Sequence, residues 1–311
     1  MIKKVTSTLL LLGTAVSTFG QSDFLGLPTS AYLNNISDSA AIQRGAPYVP
    51  MAAMGTYADD ERFWQMKRLS LSYAYAKTSF DGESHGPCTH SGVAELYAES
   101  RLGQSLNLAG VYATTHEELP GAEADTDEFA FGAQAAQEFW RFLCPDDKSS
   151  RLWAGFGFGY GVMNTDFMLP GGVAEVDGDS FHITPNLIYV RGITDRLTAM
   201  VIPAYVMEWG NTDFGPVDFD AEASRFTLTG RADYGVTDRV ILTGFGTFKR
   251  DIHMEIEGRP SNLDCHSWAE FGGGVRVAIT EDIGLRAGYS YEAFHPDFDR
   301  HKFSALLELG F

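Results

Sequence analysis

From Arg68 onward the chain alternates. Leu69, Leu71, Tyr73 and Tyr75 stand between Arg68, Ser70, Ser72, Ala74 and Ala76, a period of two that reads as a strand with one apolar and one small or polar face. Ala94, Leu96 and Ala98 alternate with Glu95, Tyr97 and Glu99, and Leu106, Leu108 and Tyr112 follow a tight Leu102-Gly103-Gln104 turn. The last residues repeat the pattern, with Phe303, Ala305, Leu307, Leu309 and Phe311 against Lys302, Ser304, Glu308 and Gly310. Strands are expected near 67–80, 91–101, 105–116, 127–142, 151–166, 180–191, 196–209, 223–234, 239–252, 265–278, 283–294 and 300–311. That is an even number, which returns both ends of the run to the same side.

The connections sort into two kinds. Gly192-Ile193-Thr194-Asp195-Arg196, Gly235-Val236-Thr237-Asp238-Arg239 and Ala278-Ile279-Thr280-Glu281-Asp282 share a small residue, a β-branched residue, Thr, an acid and a polar residue. Each separates two alternating runs and so marks a hairpin turn. Each repeat holds two long strands rather than the four short ones of a propeller blade. Opposite these turns, Gly-, Asp- and Pro-rich segments near 81–90, 116–126, 168–179, 210–222, 254–265 and 295–300 read as long loops. Short turns at one end and long loops at the other are the asymmetry of outer-membrane barrels. The fold class is therefore all-β, a transmembrane antiparallel up-and-down β-barrel of about 12 strands with short periplasmic turns and long outer loops. A further pair near Tyr48 to Tyr57 would make 14.

Alternation also assigns faces. Leu197, Ala199, Val201, Pro203, Tyr205, Met207 and Trp209 are expected to meet lipid, as are Phe226, Leu228, Ala232 and Tyr234. The lumen-lining set is Glu95, Glu99, Arg101, Glu138, His182, Glu208, Arg225, Arg231, Asp233, Lys249, Asp251, Glu270, Arg276, Arg286 and Glu292. Both signs occur, so these groups either compensate one another as scaffolding or shape a solute path.

The N-terminus places this barrel in the cell. Met1-Ile2-Lys3-Lys4, an apolar Leu9 to Leu12 and small residues to Gly20 form a secretory signal peptide over 1–20, and no later stretch reaches the roughly 20 apolar residues of a spanning helix. Residues 21–66 show no persistent period; they are a periplasmic extension, a plug or the extra strand pair, ahead of the barrel over 67–311. Gly (33), Phe (22) and Tyr (13) are abundant, and a mean hydropathy of −0.12 is what a barrel shows when lumen residues dilute lipid-facing ones. Loss of Lys3 and Lys4 with the leader leaves 21 basic against 41 acidic residues, a net charge of −20. Such a chain does not seek nucleic acid; its acidity serves hydration, cation bridging to surface lipids or a bias toward cationic solutes. Of three cysteines, Cys88 and Cys265 fall at the outer end and are the pair that could meet in a disulfide, with Cys144 at the periplasmic end.

Candidate chemistry is thin. Gly155-Phe156-Gly157-Phe158-Gly159-Tyr160-Gly161 puts glycine at every second position, which suits a barrel wall and lacks the strand-to-helix setting of a phosphate loop. Gly82-Glu83-Ser84-His85-Gly86 matches a nucleophile elbow only as letters, because it sits in an expected loop. His295, Asp297, Asp299 and His301, and also His85, Cys88 and His90, are ligand types without tight zinc spacing. No metal, cofactor or catalytic set is expected, and the chain is not expected to be an enzyme.

Two resemblances bear on function. The terminal strand, through Phe303, Leu307, Leu309 and Phe311, resembles the C-terminal recognition strand of bacterial outer-membrane barrels, which implies the barrel-assembly machinery as a partner and the outer membrane, with its lipids and lipopolysaccharide, as the location. The run Gly192-Ile193-Thr194-Asp195-Arg196-Leu197 leading to Pro203-Ala204-Tyr205 resembles the signature hairpin of outer-membrane transporters grouped with the meta-pathway phenol-degradation family. That resemblance implies passive movement of small solutes, hydrophobic or aromatic ones among them. The alternatives are a structural or surface-interaction barrel with a closed lumen and a barrel lipid hydrolase.

Overall fold

The computed structural model describes residues 64–310 apart from 81–85, 101–102, 120–121, 145, 148, 170, 215–216, 257–258, 261–266, 281 and 295–297. The leader, residues 21–63, Gly82 to His85 of the nucleophile-elbow letters, Arg101, Cys265 and Phe311 lie outside the described residues. The strands are β1 (Trp64–Phe80), β2 (Cys88–Ser100), β3 (Gln104–Leu119), β4 (Ala122–Glu138), β5 (Ser150–Leu169), β6 (Gly172–Thr194), β7 (Leu197–Phe214), β8 (Val217–Gly235), β9 (Val240–Ile256), β10 (Arg259–Pro260), β11 (Ser267–Ala278), β12 (Ile283–Ala293) and β13 (Phe298–Gly310). One helical turn, α1 (Trp140–Leu143), joins β4 to β5.

Neighbours in sequence pair antiparallel, and β13 pairs with β1, placing Leu69 opposite Leu309 and Tyr75 opposite Phe303. The two-residue β10 only extends the hairpin of β9. The other twelve strands form a closed ring with no edge, the arrangement a spanning sheet requires. Paired residues followed from Tyr73 through β2 to β7 lead to Asp220 on β8, and followed through β13, β12, β11 and β9 lead to Tyr234, a stagger of 14 residues on one strand. With a rise of about 3.3 Å and a strand spacing of about 4.8 Å, that stagger tilts the strands by roughly 40° on a backbone cylinder about 24 Å across.

The outer face is apolar and exposed. Leu71, Leu108, Phe131, Phe156, Leu187, Val201, Leu228, Leu242, Val275 and Leu285 all point outward, a continuous band that water would not tolerate and hydrocarbon requires. Aromatics cluster on it: Phe181 stacks on Trp209 with centroids 6.1 Å apart, and Tyr289 lies 5.0 Å from Phe303. The Gly155–Gly161 run places Phe156, Phe158 and Tyr160 outside, with Gly157, Gly159 and Gly161 inside.

The repeated turn has a simple cause. Thr194 Oγ1 accepts the backbone N–H groups of Arg196 and Leu197 at 3.2 and 3.0 Å. Thr237 does the same for Arg239 and Val240, and Thr280 for Asp282 and Ile283. The conserved letter of the repeat is thus the hydroxyl that closes the turn. The longer β4–β5 connection is held instead by Asp147, which accepts the Ser149 backbone N–H at 2.8 Å and its hydroxyl at 2.6 Å. The Ser149 hydroxyl, followed by its backbone N–H, holds the Asp147 carboxyl down at about 2.

Two expectations need correction. Most of 116–126, 168–179 and 210–222 is paired strand rather than loop, and β6 runs for 23 residues where roughly 9–11 span a membrane. Backbone pairing does not depend on apolar alternation, so the hairpins continue past the apolar band with Asp125, Asp166, Asp177 and Asp213 among their paired residues. The expected strand over 127–142 is shifted to Ala122–Glu138, because the Phe139 N–H turns to the Leu152 carbonyl and the following residues coil as α1.

A charge placed on the apolar band tests the orientation of the wall. Leu108→Arg is expected to lower the unfolding free energy in lipid vesicles by about 2–4 kcal/mol, read by tryptophan fluorescence against urea. A loss below about 0.5 kcal/mol would mean that Leu108 does not face hydrocarbon.

Candidate functional site: the inner wall of the barrel

The inner wall has two unlike halves. Among the described residues, every basic side chain on it except Arg151 comes from β1 or β8–β13: Arg68, Arg225, Arg231, Lys249, Arg276, Arg286, Arg300 and Lys302. Charge on the β2–β7 half is otherwise acidic, in Glu95, Glu99, Glu117, Glu128, Glu138 and Glu208, and between these groups the wall alternates apolar or small residues with uncharged polar ones such as Asn107, Gln134 and Asn186.

On the charged half most cations meet a carboxylate, across the strands or, for Arg231, two residues along the same one. Lys249 Nζ lies 2.9 Å from Glu270 and also bonds Glu292, and all three side chains are almost fully buried. Arg300 and Lys302 approach the other Glu292 oxygen at 3.5 and 3.3 Å, the Ser290 hydroxyl donates to Glu270 at 2.7 Å, and Trp268 donates to Glu292. Nearer the outer end Arg225 bonds Asp251 at 2.8 Å and lies 4.8 Å over the Trp268 ring. Arg231 bonds Asp233 at 2.7 Å, and Thr243 donates to the same carboxylate at 2.5 Å. At the short-turn end Glu308 sits between Arg68, at 2.8 Å, and Arg276, with Arg286 beside Arg276 in register. Arg286 apart, each of these charges has an opposite one within 4 Å, which offsets the cost of holding such groups out of water.

On the other half Glu95 accepts the Ser70 hydroxyl at 3.0 Å, Glu99 accepts the Tyr97 hydroxyl, and Glu138 faces Arg151 at 3.9 Å. His182 stands directly opposite Glu208 across β6 and β7. Between these carboxylates and those of Glu117 and Glu128 lie two apolar clusters. Val93, Ala109, Val111 and Ala130 pack together on β2–β4, and Ala136, Trp153, Ile188, Val190, Met200 and Ile202 on β4–β7.

The structure therefore sets the described members of the expected lumen set on the inner face and joins most of those on β8–β13 into ion-paired groups. Arg101 and Phe311 lie outside the described residues; Phe303, Leu307 and Leu309 line the outer face of β13. Sequence reasoning missed two things. Arg68, Arg300, Lys302 and Glu308 belong to the networks, and their position on the polar face of β1 and β13 was a usable signal. The inner apolar strip was also legible: Leu187-Ile188-Tyr189-Val190 and Ala199 to Met207 are unbroken apolar runs, the mark of strands covered on both faces. Of the ligand-type residues, His90 bonds Tyr73 at 2.5 Å and His301 bonds Tyr289 at 2.8 Å, both on the outer face, while His85, His295 and Asp297 lie outside the described residues.

The Lys249 group yields a stability test. Lys249→Met leaves Glu270 and Glu292 facing each other with less compensation and is expected to cost about 3–5 kcal/mol, measured by urea unfolding in vesicles at pH 7. A loss under about 1 kcal/mol would show that the wall does not depend on this contact.

No family model matches the sequence, and no curated protein matches it. Solved structures do. The translocator domain of the autotransporter NalP from Neisseria meningitidis superposes with a TM-score of 0.57 at 11% identity, over 89% of this chain and 98% of that one. The transport unit of the autotransporter AIDA-I from Escherichia coli gives 0.57 at 13% identity, over 88% and 98%. An outer-membrane channel from Pseudomonas putida F1 gives 0.57 at 11% identity, over 82% and 100%. At these identities the likeness is one of architecture: the chain has the fold of a closed, channel-like twelve-stranded β-barrel of the bacterial outer membrane.

Proposed function

We propose that the protein is a passive outer-membrane channel for small hydrophobic or aromatic solutes, moving them without chemistry. The observation that carries this reading is the apolar strip on the inner wall of β2–β7. Trp153, Ile188, Val190, Met200 and Ile202 pack there as one buried apolar cluster, and a path beside it would favour apolar solutes over polar ones, since apolar surroundings bind polar solutes poorly. Facing that strip, the ion-paired half offers fixed dipoles but little uncompensated charge, so it rejects bare ions more than it attracts them. The C-terminal strand, with Phe303, Leu307 and Leu309 outward, would be read by the barrel-assembly machinery, and the outward acids of the long hairpins would meet the lipopolysaccharide headgroups through bridging divalent cations.

A second reading, a structural barrel held shut by its internal charges, is favoured by the Lys249, Glu270 and Glu292 contacts. Transport separates the two. In vesicles whose outer leaflet is lipopolysaccharide, the channel reading expects naphthalene to equilibrate faster with protein than without, and Ile202→Asn to slow that equilibration about tenfold, near 1.4 kcal/mol of barrier, in protein that still migrates as a folded barrel. Folded protein that speeds no apolar solute would favour the closed structural barrel.

A further inference from the structure

The β6–β7 pair contains an exception to the ladder around the rest of the barrel. Its register is constant, with Ile183 opposite Met207, Asn186 opposite Ala204 and Tyr189 opposite Val201, yet pairing lapses at 184–185 and again at 187–188. This register puts Pro185 opposite Tyr205 and Pro203 opposite Leu187. Proline has no N–H, and a central strand rarely accepts it. The neighbouring ladders are intact at the same residues, Phe156 opposite Pro185 and Pro203 opposite Leu228, so both missing donors belong to this one seam. Two carbonyls, those of Tyr205 and Leu187, therefore lose their ladder partners within two residues of each other, on the stretch between Tyr189 and the stacked Phe181 and Trp209 rings.

The surroundings of this gap are specific. Outside it are Pro185, Leu187, Pro203 and Tyr205. Inside it lie Ile188 and Ile202 of the apolar strip. Beside these, Thr184 Oγ1 and Asn186 Oδ1 are buried without a hydrogen-bond partner. Asn186 is seated against Gly155, where a Cβ would come within 2.6 Å of its Oδ1. The seam thus combines weakened strand pairing, apolar lining on both faces and four oxygen acceptors short of a donor in a low-dielectric setting.

We propose that the β6–β7 seam is a lateral portal between lumen and membrane, and that its acceptors favour apolar solutes carrying one hydrogen-bond donor, such as phenols and long-chain alcohols. The inference rests on the channel reading and deepens it. Parting the strands here breaks fewer backbone bonds than anywhere else along the pair, and a solute hydroxyl donating to the Leu187 or Tyr205 carbonyl, or to Asn186, replaces a bond the prolines cannot make.

The test locks the seam. In a chain whose Cys88, Cys144 and Cys265 are replaced by serine, Asn186→Cys and Ala204→Cys form a registered cross-strand pair. The probe is 1-naphthol, its entry into vesicles with a lipopolysaccharide outer leaflet followed by fluorescence, with potassium conductance as the measure of the axial path. Oxidation is expected to slow 1-naphthol about tenfold relative to the same variant reduced, both states lacking the Asn186 acceptor and keeping the Leu187 and Tyr205 carbonyls, with conductance unchanged. Equal rates in the oxidised and reduced protein overturn the portal and leave the channel reading standing. No transfer by the protein with Asn186 and Ala204 in place brings down the channel reading and the portal with it. As a second variant, Pro185→Ala with Pro203→Ala supplies the missing donors and is expected to slow 1-naphthol while raising the urea midpoint; a raised midpoint with unchanged transfer overturns the proposal. Naphthalene, which has no donor, is expected to pass the unlocked protein several-fold more slowly than 1-naphthol, and equal rates would remove the preference for a donor.

Discussion

The constraint on which this structure depends is that hydrocarbon supplies no hydrogen bonds, so every backbone donor and acceptor in the spanning wall has to find its partner in another strand. Closure of β13 on β1 meets that requirement for both ends of the sheet at once. It also brings Glu308 into contact with Arg68, 240 residues away in the chain. The seam between first and last strands is therefore tied by backbone pairing along its length and by a buried charge contact at its short-turn end. Neither exists until the final strand is in place. Folding of such a ring is governed by its most distant contact, and the local hairpins, each closed by a threonine hydroxyl, can form before that contact does.

The two halves of the inner wall answer the same problem in different ways. A cylinder about 24 Å across encloses side chains from facing strands in a space too narrow to hydrate each charge as bulk water would. On β8–β13 the solution is mutual compensation: Lys249 between two glutamates, Arg225 between Asp251 and the Trp268 face, Glu308 between two arginines. On β2–β7 it is to thin the charge out, with apolar, glycine and uncharged polar side chains between scattered carboxylates. Small residues on β5 matter here. Gly155 leaves room for the Asn186 side chain, which no other residue would allow without moving it.

Much of the fold was legible because two simple rules generate it. Period-two alternation locates the spanning part of each strand, and the Thr-centred turn locates three of the hairpins. What could not be read is the length of strand beyond the membrane, since Asp125, Asp166, Asp177 and Asp213 pair as regularly as apolar residues while breaking the apolar pattern. Faces were legible wherever a charge marked the inner one, as at Glu95 or Arg231. They were harder to see where both faces are apolar, and that is where the strip at Ile188, Val190, Met200 and Ile202 lies. Which charges meet depends on register around the ring, and register between strands that are distant in sequence leaves no local trace. The joining of Arg68 to Glu308 and of Lys249 to Glu292 follows only once the stagger of the barrel is known.

The proline pair gains meaning from the rule it breaks. A sheet that must pair every backbone group in lipid has little reason to place two residues without N–H in one seam, and chance would as readily spread them over different seams. The β6–β7 hairpin tolerates the loss because it is long. Above the gap it is paired from Asp177–Asp213 to Ile183–Met207, and below it from Tyr189–Val201 to the Thr194 turn. The ends clamp the hairpin while its middle stays weak. A seam built in this way can part locally without unzipping, because the contacts that hold the two strands together lie outside the stretch that would move. Weakness confined between two strong segments, backed by apolar side chains and facing lipid, is a different physical object from a frayed edge, and it ties the composition of the inner strip to the wall through which its contents could leave.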